Sequence, residues 1–224
     1  MTNMMKKSLV LGALALSAAL AQAADPGQPP GTNDLTRYFR AVQMDDVTTV
    51  NKMIAGRIVN PNQFDPRSGE SGLILALREG APRVVDALIA LPGLDLEQRA
   101  PNGNTALMMA AFKHNLPAAK ALLDKGAQVN RDGWNALHFA AAAGDDEITK
   151  LLLARGAAVD ARAPAGFTAL MLAAREGQQS TAMVLLEAGA DASLVNSEKL
   201  NAAQIAERAE KPALAQAIRT HARK

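Results

Sequence analysis

Three histidines and one run of acids are the residues of this 224-residue chain best equipped for proton or metal chemistry. His114, His138 and His221 do not fall in a metal-ligand spacing. Asp145-Asp146-Glu147 is where a paired-carboxylate catalyst would be sought, yet acids in a row at a helix start are what the positive end of the helix dipole favours. The chain has no cysteine, so thiol chemistry and a disulfide framework are both excluded. No nucleophile elbow, phosphate loop or dinucleotide fingerprint occurs. The reading is a chain that is not an enzyme, with no catalytic residues, no metal ligands and no cofactor. The chemistry left is that of binding, and it rests on aromatics and arginines, the types that most often dominate interface energetics.

The elements that would position those residues follow from an internal register. Residues of the Ser/Thr/Asn set recur at Thr36, Ser71, Thr105, Asn135, Thr168 and Asn201, at spacings of 35, 34, 30, 33 and 33. Their side-chain oxygens suit the first orphan amides of a helix, so each is expected to cap one. Five residues later stands Ala41, Ala76, Ala110, Ala140, Ala173 or Ala206, alanine every time. Nine residues after the cap stand Asp45, Gly80, His114, Gly144, Gly177 and Glu210, three of them glycine, where a first helix must stop. The unit thus reads as turn, short helix, turn and a longer helix ending in glycine. Helices this short do not persist alone in water; they need a stack of neighbours.

The motifs Gly103-Asn104-Thr105-Ala106-Leu107, Gly133 to His138 and Gly166-Phe167-Thr168-Ala169-Leu170 resemble ankyrin repeats. So do the closing runs Leu122-Leu123-Asp124-Lys125-Gly126-Ala127, Leu152 to Ala157 and Leu185 to Ala190. Alanine replaces the family's proline in the three clearest units, and only His138 keeps its histidine. The resemblance implies an all-α repeat solenoid of stacked helix-turn-helix repeats with β-hairpin fingers. Residues 34–224 then form one domain of six repeats: 34–66, 67–99, 100–130, 131–163, 164–198 and 199–224. It also implies that His138 is a structural residue bonded to backbone.

Taken in order, the first unit carries Arg40 where the others place Leu75, Met109, Phe139, Leu172 and Ile205, a polar substitution that suits a terminal capping repeat. Pro82, Pro117 and Pro212 open second helices, where the missing amide has no partner to lose. Between the third and fourth repeats, Val129-Asn130-Arg131-Asp132-Gly133 is three residues shorter than its counterpart, which predicts a truncated finger and a notch with Trp134 at its base. The basic residues Arg208, Lys211, Arg219, Arg223 and Lys224 read as a solvated final helix.

In ankyrin-like arrays, residues just before the cap and at the end of the first helix share a concave face. Three of the seven aromatics fall there, Phe112, Trp134 and Phe167, and they are expected to form one patch flanked by Lys113 and Arg175. Arg99, Arg131 and Arg162, on successive fingers, form a candidate basic row.

Residues 1–23 differ in kind. Lys6-Lys7 precede an apolar run from Leu9 to Leu20, and Ala21-Gln22-Ala23 has the small-x-small form of a signal peptidase site. The run is shorter than the about 20 residues a bilayer span needs. The expectation is cleavage before Ala24, a linker over 24–33, no membrane anchor, and a periplasmic or secreted mature chain. Removing two lysines from 24 cations leaves 22 against 22 acids, a balance that gives no support to nucleic-acid binding. The chain also resembles exported bacterial ankyrin proteins. That resemblance implies a monomeric, non-catalytic module for one protein partner, such as an exported stress-response enzyme that it protects. The alternatives are an immunity protein neutralising a periplasmic toxin, an unrecognised enzyme, or a secreted effector.

Overall fold

The computed structural model describes residues 31–221. The leader, most of the linker, Arg223 and Lys224 lie outside the described residues. Among the described residues, twelve α-helices follow one another in pairs. They are α1 (Thr32–Gln43) and α2 (Val47–Ala55), α3 (Gly72–Glu79) and α4 (Pro82–Ala90), α5 (Ala106–Phe112) and α6 (Leu116–Asp124). Then come α7 (Ala136–Ala143) and α8 (Asp146–Ala154), α9 (Ala169–Glu176) and α10 (Gln179–Glu187), and finally α11 (Ala202–Arg208) and α12 (Pro212–His221). First helices pack on first helices and second helices on second helices along the array, giving an all-α repeat solenoid in two layers. No described helix is long and apolar enough to cross a membrane.

The register explains the layers. Ser71, Thr105, Asn135, Thr168 and Asn201 each cap a first helix, their side chains accepting from the amide three residues on. Thr36 does not. The first helix starts at Thr32 and Thr36 lies inside it, its hydroxyl bonded back to the Thr32 carbonyl at 2.9 Å. The alanine column is buried throughout: Ala76, Ala110, Ala140, Ala173 and Ala206 have no exposed surface, and Ala41 has 6%. The column lies where neighbouring first helices pack on one another. At the end of the array, Tyr38 and Phe39 seal the core edge-to-face at 5.0 Å. The Tyr38 hydroxyl stands 2.7 Å from where a Cβ on Gly72 would lie, so α3 must begin with glycine. Arg40 is exposed, as the capping role requires.

The ninth-position column has one backbone state and several chemistries. Asp45 (φ 53°), Gly80 (70°), His114 (55°), Gly144 (78°), Gly177 (80°) and Glu210 (59°) are all left-handed. Aspartate and histidine enter that region more readily than most side chains, whereas Glu210 is held there by the turn it closes. Second helices start largely as expected. Pro82 and Pro212 are first residues, but α6 begins one residue before Pro117 and is capped by Asn115. Asp145 caps α8, accepting from Ile148 N at 2.8 Å.

The fingers are tight turns. Among the described residues the sole bridge of strand type pairs Phe64 with Ser71, so no ladder forms. Four connections close on a backbone bond: Asp65 N to Glu70 O, Ala100 N to Asn104 O, Ala163 N to Phe167 O and Asn196 N to Leu200 O. The connection from Val129 to Trp134 closes on none, as its three missing residues predict.

Successive connections are tied by side chains. Asn62 Oδ1 accepts from Asp95 N (2.9 Å), Glu97 Oε1 from Gln128 N (2.8 Å), Asn130 Oδ1 from Ala158 N (2.8 Å) and Asp160 Oδ1 from Asp191 N (3.0 Å). Each of the first four repeats thereby satisfies a backbone amide of the next.

Candidate protein-binding site

The short connection between the third and fourth repeats brings Trp134 down onto α7. Its ring meets His138 at 5.6 Å and Phe139 at 6.2 Å, both edge-to-face, and Phe112 from the end of α5 meets Phe139 at 6.3 Å. Such geometries are favoured because a ring's positive edge meets its neighbour's negative face. Phe139, together with Ala142, Leu172, Arg175 and Glu176, completes the walls of a cleft of about 370 Å³. Phe112 is 52% exposed and Trp134 38%, so the rings are held in place without being covered.

His138 fixes the floor. Asn135 N donates to its Nδ1 at 3.3 Å, which leaves the proton on Nε2, and Nε2 donates to the carbonyls of Ala161 (3.0 Å) and Phe167 (3.2 Å). Burial lowers its pKa below the ordinary value, with the two carbonyl bonds opposing, so the neutral ring belongs to the fold. One side chain thus ties repeat four to the connection that leads into repeat five, a structural role.

Phe167 does not join the patch expected for it. Its ring pairs with no described aromatic; the Arg175 guanidinium lies over it at 5.6 Å, and the ring packs half-buried against the core. Arg175 also donates to Glu176 at 2.9 Å and stands between two clefts. The second cleft, about 320 Å³, is lined by Phe167, Asn196, Leu200 and Arg208 among others. Arg208 is paired with Glu198, and Arg219 with Glu207 at 2.6 Å, so two cations of the basic cluster are engaged by acids.

The candidate basic row is broken as well. Arg162 donates to the Val195 carbonyl at 3.0 Å and so serves the next connection. Arg99 and Arg131 remain on neighbouring connections, Arg99 exposed and Arg131 partly buried. Lys113, next to Phe112, is exposed. Phe139 and Leu172, which the register aligns with Leu75, Met109 and Ile205, line the cleft as well; Phe139 is the one aromatic in that column, and that was the available signal. Among the described residues, no three His, Asp or Glu side chains converge as metal ligands.

The family model described as "Ankyrin repeats (3 copies)" matches residues 38–132 and 128–196. Protein glp-1 of Caenorhabditis elegans is 35% identical over 127 residues, 50% of this chain and 10% of the relative. SH3 and multiple ankyrin repeat domains protein 2 of Homo sapiens is 30% identical over 84% of this chain and 12% of its own length. The nuclear factor NF-kappa-B p105 subunit of Mus musculus is 35% identical over 60% of this chain and 14% of its own length. The chain therefore spans no more than 14% of any of these three eukaryotic relatives. With the repeat register, the two-layer stack and these matches in agreement, the chain belongs to the ankyrin-repeat family, a family of protein–protein interaction modules.

Proposed function

We propose that this chain is an exported, monomeric binding module. It captures one protein partner through the cleft of Phe112, Trp134 and Phe139, with Lys113 and Arg175 at its rim. The observation that carries the reading is the pair of exposed rings, Phe112 and Trp134, each braced edge-to-face against Phe139 at a cleft, since aromatic surface left uncovered marks interaction sites. Export to the periplasm or beyond rests on the leader pattern of residues 1–23. The partner class favoured is an exported enzyme, such as a stress-response enzyme, that the module protects. Neutralisation of a periplasmic toxin is the alternative, and it uses the same surface.

A photo-reactive amino acid placed at Phe112 or Trp134 in the full chain tests the reading, with Lys150, exposed on α8, as control. One discrete adduct from the first two positions, absent from the third, is expected, and the adduct's identity decides between enzyme and toxin. Adducts of equal yield from all three positions, or none, would sink the proposal.

A further inference from the structure

Most cations near the first-helix ends are already answered by acids. Arg78 pairs with Glu70 and Glu79, each at 3.0 Å; Arg175 pairs with Glu176, and Arg208 with Glu198. Around the third repeat the pattern changes: among the described residues Lys113, at the end of α5, and Arg99 and Arg131, on the connections before and after that repeat, make no ion pair. Arg131 is the extreme case, because its Nη1 is buried without any hydrogen-bond partner. Burial and the neighbouring charge of Arg99 both push its pKa below the ordinary value, with Glu97 opposing. Glu97 accepts from Gln128 N, and Asp132, in the same connection, pairs with neither arginine. A guanidinium nitrogen removed from water with no acceptor is a standing penalty, and the partly buried side chain would shed it by turning outward to a carboxylate or phosphate held by both prongs of the fork.

Position links this pair to the cleft. Arg131 and Trp134 belong to one connection, and Gly133 turns the chain between them at φ 78°. We propose that Arg99 and Arg131 form the carboxylate-accepting part of the partner site, so that the partner presents an acidic residue beside the large apolar residue entering the aromatic cleft. This deepens, and rests on, the protein-binding reading above.

Trp134 is the single tryptophan, so its fluorescence reports cleft occupancy directly. The probes are acetyl-Glu-Leu-Glu-amide and its neutral isostere acetyl-Gln-Leu-Gln-amide, each titrated into the full chain at matched ionic strength. The acidic peptide is expected to bind about fivefold tighter or more. Arg131→Gln should reduce that ratio to near one by weakening the acidic peptide more than the neutral one, and Arg99→Gln, at an exposed position, should repeat the effect should the first variant fold poorly. Equal affinity for the two peptides, a preference that survives both substitutions, or no saturable response to the acidic peptide overturns the inference. Displacement of the acidic peptide by inorganic phosphate at lower concentration than by acetate also overturns it, assigning the pair to phosphate. Adduct formation at Phe112 and Trp134 is read separately, so failure here with the adduct retained removes this inference alone.

Discussion

Asp45 of the first repeat caps a helix of the second: its Oδ1 accepts from Val84 N at 2.9 Å. The residue at the N-cap position of α4 is Ala81, which offers no side-chain acceptor, and Val84 is the third helical residue, where a cap's oxygen would bond. Arg83 completes the seam, donating from Nε to Oδ2 at 3.0 Å and from Nη2 to the Asp45 carbonyl at 2.6 Å. The left-handed backbone of Asp45 is what aims the carboxylate across the gap.

Asp45→Ala is therefore expected to cost about 1–2 kcal/mol by chemical denaturation, with Asp45→Asn costing less. Partial burial raises the Asp45 pKa, but the bonds from Val84 and Arg83 outweigh it and hold the carboxyl below its ordinary 3.8. A depressed folded-state pKa contributes stability above the unfolded value and loses it as pH falls through the folded one. The gap between wild type and variant should thus be full above about pH 4 and close on further acidification. A gap that is constant across that range contradicts the cap.

The ladder of Asn62, Glu97, Asn130 and Asp160 gives a local test. Asn130 bonds Gly156 O at 2.7 Å as well as Ala158 N at 2.8 Å, so Asn130→Ala removes two contacts to the next repeat. The loss should be about 1–2 kcal/mol. Hydrogen exchange at the Ala158 amide should accelerate, while the Asp191 amide, held by Asp160, stays protected. Acceleration at both amides would mean that the array loosens as a whole.

Ala140 has no exposed surface where first helices meet. Ala140→Leu should overpack the seam and cost about 1–3 kcal/mol, read as a lowered denaturation midpoint. An unchanged midpoint would show that the seam has room.

Repetition made the stack legible from sequence. Ser71, Thr105, Asn135, Thr168 and Asn201 do the same job at nearly fixed spacing, so chemistry and period point the same way. Thr36 shares the spacing without the context. No finger precedes α1 among the described residues, the helix extends four residues further back, and the hydroxyl finds a carbonyl of its own helix. The seams between repeats were hidden for a different reason. Asp45 reaches Val84, His114 reaches Asp145 at 3.0 Å, and Gln178 reaches the Ala142 carbonyl at 3.3 Å: one location, three unlike pairs, separated by 31 to 39 residues. In the site, register placed Phe112, Trp134 and Phe167 on one face but could not tell which ring a neighbour covers. Arg175 lies over Phe167, and Phe139, which the register aligns with Leu75, Met109, Leu172 and Ile205, takes its place.

In the proposed function the rings of Phe112 and Trp134 hold the partner. Once the cross-linked partner is purified, titration calorimetry against the double variant Phe112→Ala/Trp134→Ala is the most direct measurement, with Phe167→Ala as comparison. Both substituted rings are exposed, so the double variant should keep its helical content and lose only about 1 kcal/mol of stability, yet bind about thirtyfold more weakly or worse. Phe167→Ala, which uncovers core, should lose stability and retain affinity. Normal binding by the double variant, with affinity lost instead in Phe167→Ala, would contradict the account.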